Sequence, residues 1–116
     1  MTKSILDELT EDVLNFRDER NWAQFHTLKH LCAGLSVEAA ELQELLLWKT
    51  DVEAEAYINS EVGKTRFGEE LADVLVYLLL LANRAGIDLK AASDRKIKLN
   101  AEKYPVDKSY NSATKY

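Results

Sequence analysis

The chain has 116 residues, with 15 basic and 20 acidic side chains, and a net charge of −5 near neutral pH. Its basic residues form no run, which argues against a long nucleic acid as a partner. One proline and four glycines leave few sites for tight turns. The composition therefore favours an all-α domain over one built from β-hairpins.

Apolar runs and cysteine content limit where such a chain can reside. The longest apolar run, residues 74–82, is about half the length that a membrane span requires. The N-terminal segment lacks the continuous apolar core of a signal peptide. Cys32 is the only cysteine, so no intrachain disulfide can form, and we expect a small buried side chain there. A cytoplasmic protein that does not contact membranes is the expectation.

Cap signals and apolar spacing predict four main helices and one short helix. Ser4, Thr50 and Asp88 are placed to cap helices, and Gly86 is placed to end one in the left-handed conformation. The predicted helical ranges are 4–20, 27–48, 51–59, 64–85 and 88–103, with a turn at 60–63. We interpret residues 1–116 as a single domain, a four- to five-helix bundle, with residues 106–116 as a polar C-terminal tail after Pro105.

The third main helix is apolar on every side over residues 74–81. A helix of this kind needs neighbours on every side. A chain of four or five helices supplies few, so a homo-oligomer with a helical interface is favoured. A deeply buried monomer core is the alternative.

Two acidic pairs interrupt apolar helical stripes. Glu38 and Glu41 form the first pair, and Glu70 and Asp73 form the second. Glu38 and Glu70 fall on the apolar stripes themselves, where a carboxylate is costly to bury without a positive partner. Oxygen ligands at i, i+3 on two helices suit Mg²⁺, with Mn²⁺ as a substitute. A di-iron site would need a Glu-x-x-His pair on each of two helices, and neither histidine follows a glutamate by three residues.

A family resemblance extends over nearly the whole chain. It rests on the two acidic pairs and on the stretches FRDERNWAQFH, ELLLWK, ELADVLVYLL and KLNAEKYPV. The sequence resembles the MazG-like all-α nucleoside triphosphate pyrophosphatases, in particular their dCTP pyrophosphatase branch. The resemblance implies Mg²⁺-dependent hydrolysis of a deoxynucleoside triphosphate, with dCTP or a related nucleotide favoured, to the monophosphate and pyrophosphate. It also implies nucleotide-pool house-cleaning by a homodimer or a homotetramer built as a dimer of dimers.

Candidate residues for the substrate fall into two groups. A base needs a flat apolar slot with a few polar groups, and the candidates for it are Trp22, His26, Trp48 and Tyr77. Helical spacing places Trp48 two turns after Glu41, and Tyr77 one turn after Asp73. The phosphates need positive or polar groups, and the candidates are Lys96, Asn100, Lys103 and Tyr104. Lys49, Lys64 and Arg66 are weaker candidates, because spacing shows only that they lie near helix ends.

Two other functions stay open at the level of sequence. One is a pyrophosphatase that acts on a different or modified deoxynucleoside triphosphate. The other is a helical nucleotide-binding or oligomerisation module without turnover. All four candidate metal ligands are present, which favours an enzyme, since a module freed from catalysis would not need every one.

Overall fold

A computed structural model describes residues 3–115, and these residues form helices and connections without a strand. The all-α prediction is therefore confirmed. The helices are α1 (Ile5–Glu19), α2 (Leu28–Glu44), α3 (Asp51–Asn59), α4 (Glu61–Ala85), α5 (Leu89–Lys103) and α6 (Val106–Ser109), with a 3₁₀ helix at Trp22–Phe25. Within this part of the chain, no helix is long and apolar enough to cross a membrane.

The described residues fall into two compact units that meet in sequence between Ala85 and Gly86. The first unit contains α1 to α4, and the second contains α5 and α6. That residues 1–116 act as one domain stays a prediction. The start of the predicted tail forms the short helix α6 rather than an irregular segment.

Helix α4 is the centre of the first unit, because α1, α2 and α3 all pack against it. The best buried side chains are Leu31 of α2 and Leu79 of α4, each 2% exposed. Gly34 of α2 lies against Tyr77 of α4. Further along α2, Glu38 and Glu41 lie close to Glu70, which precedes Tyr77 on α4. Helices α2 and α4 therefore run antiparallel along their contact.

Polar side chains set most of the helix starts as predicted. The hydroxyl groups of Ser4 and Thr27 each accept a hydrogen bond from a first-turn amide, at 3.1 Å. Thr50 forms a full capping box with Glu53, and the Asp88 carboxylate accepts from Ala91 N–H. Gly86 has a φ of 69°, a left-handed conformation that glycine adopts without a steric penalty.

Two predicted boundaries are wrong. Helix α4 begins at Glu61, so the predicted turn at residues 60–63 is mostly helical. Ser60 causes this, because its backbone is extended and its hydroxyl accepts a hydrogen bond from Gly63 N–H at 3.0 Å. Helix α2 ends at Glu44 rather than Trp48, since the next residues tighten into a turn and Trp48 takes a φ of 67°.

Cys32 is exposed, so the expectation of a buried cysteine is also wrong. It directly follows the buried Leu31, and successive residues of an α-helix point about 100° apart. The apolar face of α2 therefore turns away from Cys32.

Gly63 allows α3 and α4 to approach closely. A Cβ atom at this position would lie 1.9 Å from the Tyr57 carbonyl oxygen. Backbone atoms cannot yield as a flexible side chain can, so only glycine fits without a shift of one helix. The close approach holds Tyr57, which lines a cavity described below, against α4.

We expect Gly63→Ala to destabilise the protein by about 1–3 kcal/mol, because the added methyl group overpacks the α3–α4 contact. Gly68→Ala is the matched control, since a Cβ there meets nothing within 4 Å and should stabilise the helix by about 0.5–1 kcal/mol. Urea unfolding followed by circular dichroism measures both. Equal stability of the two variants would contradict the packing argument.

Candidate metal and nucleotide site

Three carboxylates meet where α2 crosses α4. One oxygen from each of Glu38, Glu41 and Glu70 lies within 4.8 Å of the others. Glu38 and Glu70 are partly buried, and Glu41 is exposed at the edge. The apolar stripe of α2 that begins at Leu31 carries Glu38 toward α4, as the sequence predicts.

Burial and mutual repulsion make the cluster electrostatically costly. They raise the pKa of Glu38 from its ordinary 4.5 to about 7, with burial as the largest cause. The other causes that raise this pKa, in decreasing order, are hydrogen bonding to Glu41, the charges of Glu41 and Asp73, and hydrogen bonding to Glu70. Two carboxyl groups can share a hydrogen bond only if one is protonated. The cluster therefore favours a proton or a cation over three free charges.

The donor set fits a hard divalent cation. Oε2 of Glu38 and Oε2 of Glu70 are buried and have no hydrogen-bond partner within residues 3–115. A buried acceptor in this state costs free energy. A cation bound by the three carboxylates would satisfy these oxygens. Oxygen ligands alone suit Mg²⁺, Mn²⁺ or Ca²⁺ rather than the softer metals.

Asp73, the fourth predicted ligand, is exposed and lies outside the group of three. Its charge still acts on Glu38, because it contributes to the raised pKa of that group. A role for Asp73 as a ligand stays a prediction.

An aromatic cavity of about 290 Å³ lies beside the contact between α2 and α4. Its lining residues are Trp22, Phe25, His26, His30, Leu31 and Tyr77. The structure thus brings together three of the four residues predicted for the base. Sequence reasoning missed Phe25 and His30, although Phe25 shares the 3₁₀ helix with Trp22 and His30 follows His26 by four residues, in the first turn of α2.

The 3₁₀ helix holds Trp22 and His26 at this cavity. Asn21 turns the chain out of α1 with a φ of 53°, which asparagine tolerates better than most residues. The Trp22 ring then packs edge-on against Phe16 at 5.7 Å between centroids. The guanidinium carbon of Arg20 lies 3.7 Å from the Phe16 ring centroid. These contacts fix the Trp22 ring to the end of α1.

His26, one of the polar residues in the lining of this cavity, has an unpaired ring nitrogen. Its Nδ1 is buried and has no hydrogen-bond partner among the described residues. Burial, and to a smaller extent the charge of Arg17, lower the pKa of His26. The imidazole is therefore neutral near pH 7, and Nδ1 can donate or accept a hydrogen bond according to its tautomer.

Gly34 allows the Tyr77 ring to lie directly against α2. A Cβ at residue 34 would lie 2.3 Å from a ring carbon of Tyr77. This close packing holds Tyr77 in the wall of the cavity. The sequence marks Gly34 only as an unusual glycine inside a helix.

A second cavity, of about 460 Å³, contains both signs of charge. Its lining residues are Glu41, Glu44, Leu45, Lys49, Tyr57, Arg66 and Glu70. Two of these residues, Glu41 and Glu70, also belong to the acidic cluster. Lys49 and Arg66, which spacing marked only as weak candidates, are thereby placed beside that cluster.

The remaining predicted substrate residues are Trp48 and four residues of the second unit. Trp48 is 93% exposed and lines neither cavity. Trp48 does not lie two helical turns after Glu41, because α2 ends at Glu44. Four predicted phosphate contacts belong to the second unit, namely Lys96, Asn100, Lys103 and Tyr104. Among them, the Lys103 ammonium lies 5.5 Å from the centroid of the Tyr104 ring. All five roles stay predictions.

Known proteins resemble this chain in sequence and in structure. The chain is 39% identical to dCTP pyrophosphatase 1 of Rattus norvegicus and 38% identical to that of Homo sapiens, each over 111 residues. Each alignment spans 96% of this chain but 65% of the relative. The chain thus spans about two thirds of the length of these curated relatives.

A crystal structure shows the same fold. A pyrophosphatase from Archaeoglobus fulgidus superposes with a TM-score of 0.81 at 38% identity, and the match covers 90% of this chain and 96% of that one. The model of the MazG-like family matches residues 34–116. This range holds both acidic pairs, and the chain belongs to the MazG-like family.

Proposed function

We propose that the chain hydrolyses deoxynucleoside triphosphates, dCTP or a close relative of it, to the monophosphate and pyrophosphate, with Mg²⁺ as cofactor and Mn²⁺ as a substitute. The observation that carries the proposal is the group of three carboxylates with two buried, unpaired oxygens. The names of the rat, human and archaeal relatives support the reaction class. Such an enzyme would remove unwanted nucleotides from the pool before a polymerase uses them.

The acidic cluster is the proposed reaction centre. Glu38, Glu41 and Glu70 would hold Mg²⁺, with Asp73 as a further ligand. Bound there, the ion would neutralise charge at the phosphorus and lower the pKa of a nearby water. Glu41, the exposed member of the group, is the carboxylate that we propose orients the water and takes its proton.

Bond making and breaking balance at the α-phosphorus. The water oxygen forms a new bond to this phosphorus, and the bond to the oxygen that bridges to the β-phosphate breaks. Pyrophosphate leaves with the electron pair of that bond. The proton from water passes to the carboxylate and then to solvent, so the products are a nucleoside monophosphate and pyrophosphate.

The aromatic cavity is the proposed base slot. Trp22, Phe25 and Tyr77 supply flat apolar faces for a base, and a slot with few polar groups is typical of ligand sites. The unpaired Nδ1 of the neutral His26 would hydrogen-bond to the polar edge of the base. Cytosine offers both an amino donor and a carbonyl acceptor on that edge.

Assembly into a homo-oligomer remains a proposal. Three leucines of α4 are partly exposed in the single chain: Leu71, Leu75 and Leu78, at 48, 36 and 39%. Large side chains at successive turns of one helix would be covered by a second copy. The predicted assembly is a dimer or a dimer of dimers.

Light scattering after size-exclusion chromatography tests the assembly. We expect a dimer or tetramer for the native chain and a smaller species for Leu75→Arg, because the new charge would be buried at the interface. Ile5→Arg serves as the control, since Ile5 lies on α1 and is already 81% exposed. A monomeric native chain would contradict the proposal.

The reaction itself is tested with a panel of nucleoside and deoxynucleoside triphosphates, including cytosine-modified ones, in the presence of Mg²⁺. We expect pyrophosphate and monophosphate, with the highest kcat/KM for dCTP or a modified dCTP. Glu41→Gln should lower kcat on the order of 10²-fold or more, because it removes the proposed base. Glu69→Gln, an exposed neighbour of Glu70, should retain activity.

Two outcomes of this panel would defeat the proposal. The first is the absence of pyrophosphate with every nucleotide, which would leave a binding module as the function. The second is the release of orthophosphate, which would place the attack at the γ-phosphorus.

The raised pKa of Glu38 predicts how stability depends on pH. The folded state binds the proton of the Glu38 carboxyl group more tightly than the unfolded chain does. Protonation of Glu38 therefore contributes fully to stability below pH 4.5, and this contribution is lost as pH rises through about 7. In EDTA, the unfolding temperature of Glu38→Gln should therefore exceed that of the native chain at pH 8. Mg²⁺ should raise the native midpoint and leave that of the variant unchanged.

Thermal unfolding followed by circular dichroism measures both effects, with Glu69→Gln as the control that removes one charge outside the cluster. If, in EDTA, the unfolding temperature of the native chain rises relative to that of Glu38→Gln between pH 5 and pH 8, the raised pKa of Glu38 is not the cause of the pH dependence. An equal response of both proteins to Mg²⁺ would contradict a role of Glu38 in binding the ion.

A further inference from the structure

The mixed-charge cavity adjoins the acidic cluster, because Glu41 and Glu70 belong to both. Apart from these two carboxylates, the charged groups in its lining are Glu44, Lys49 and Arg66. The lining therefore carries a net positive charge once Glu41 and Glu70 are engaged elsewhere. A cavity of about 460 Å³ with this charge suits a small polyanion.

Both cationic side chains have unused hydrogen-bonding capacity. The Arg66 side chain forms no hydrogen bond or ion pair with any residue that the structure describes. The Lys49 ammonium donates one hydrogen bond, to the Leu45 carbonyl at 2.7 Å, and lies 4.7 Å from the centroid of the Tyr57 ring. An ammonium has three donors and a guanidinium has five, so both groups can still bind phosphate oxygens.

The two cavities lie on opposite sides of the acidic cluster along α2. The aromatic cavity contacts α2 at His30 and Leu31, the cluster at Glu38 and Glu41, and the mixed-charge cavity from Glu41 to Leu45. With a rise of about 1.5 Å per residue, Leu31 and Glu38 are about 10 Å apart along the helix axis. The order along the helix is aromatic slot, carboxylates, cationic groups.

A nucleoside triphosphate has the same order of chemical groups: base, α-phosphate, and then the β- and γ-phosphates. We infer that Lys49 and Arg66 form the subsite that binds the β- and γ-phosphates and holds the departing pyrophosphate. The inference rests on the proposed function, since it assumes that the α-phosphate lies at the carboxylates. Arg66 would pair with two phosphate oxygens through its planar fork, and Lys49 would supply a point charge.

The subsite is tested by the binding of pyrophosphate itself, measured by calorimetry with Mg²⁺ present, so that no turnover is needed. We expect Arg66→Gln and Lys49→Gln each to weaken pyrophosphate binding about tenfold, the usual effect of losing a charge-assisted hydrogen bond at a partly exposed site. Arg66→Lys should restore part of the affinity. Lys29→Gln, which removes a positive charge of the first unit outside both cavities, should bind as the native chain does.

Product inhibition separates a phosphate contact from a general structural role. In Arg66→Gln, the inhibition constant of pyrophosphate should rise about tenfold, whereas that of the nucleoside monophosphate should not change. Circular dichroism and the unfolding midpoint of each variant confirm that it is folded. Equal weakening of both inhibitors would show that the variant disturbs the whole site, and would overturn the subsite.

Failure of the subsite and failure of the proposed function give different results. A native chain that releases pyrophosphate from nucleotides, with unchanged pyrophosphate affinity in Lys49→Gln and Arg66→Gln, would refute the subsite alone. A native chain that releases no pyrophosphate and does not bind it would refute both.

Discussion

Partial burial of Glu38 where α2 packs against α4 is the constraint on which the rest of this structure depends. A carboxylate in this position is not compensated by any positive side chain of its cluster, and its pKa is raised to about 7. Close packing of the two helices brings Glu70 and Glu41 to the same point, which adds repulsion to desolvation. Leu31 of α2 and Leu79 of α4 are fully buried, and burial of such side chains stabilises the packing of the first unit. This apolar packing offsets the cost of the acidic cluster.

The same contact organises the surfaces on both sides of the cluster. Gly34 lets Tyr77 lie against α2, and the 3₁₀ helix adds Trp22 and His26 to form the aromatic cavity. On the other side, the turn after α2 carries Lys49, while α3 contributes Tyr57 and α4 contributes Arg66. The packing of α2 against α4 therefore places aromatic, anionic and cationic groups in order along α2. This order matches the base, the α-phosphate and the terminal phosphates of a nucleoside triphosphate.

Local signals in the sequence predicted the helices well and the cavities only in part. Ser4, Thr50 and Asp88 cap helices because a short polar side chain can satisfy first-turn amides without help from distant residues. The end of α2 could not be predicted in this way, since the leucines after Glu44 are good helix formers and no breaker follows them. The sequence carries no local sign that Arg66 and Phe25 line cavities, because this depends on how α4 and the 3₁₀ helix pack. The acidic pairs were predictable because a carboxylate on an apolar stripe is a conflict visible in the sequence itself.

Paramagnetic broadening by Mn²⁺ can show whether the crossing of α2 and α4 binds a divalent cation. In the amide NMR spectrum of the protein, substoichiometric Mn²⁺ broadens the signals of residues close to the bound ion. We expect the signals around Glu38, Glu41 and Glu70 to broaden first, and excess Mg²⁺ to restore them. Broadening that begins at another acidic surface, such as Asp7 and Glu8 in the first turn of α1, would show that the crossing is not the cation site.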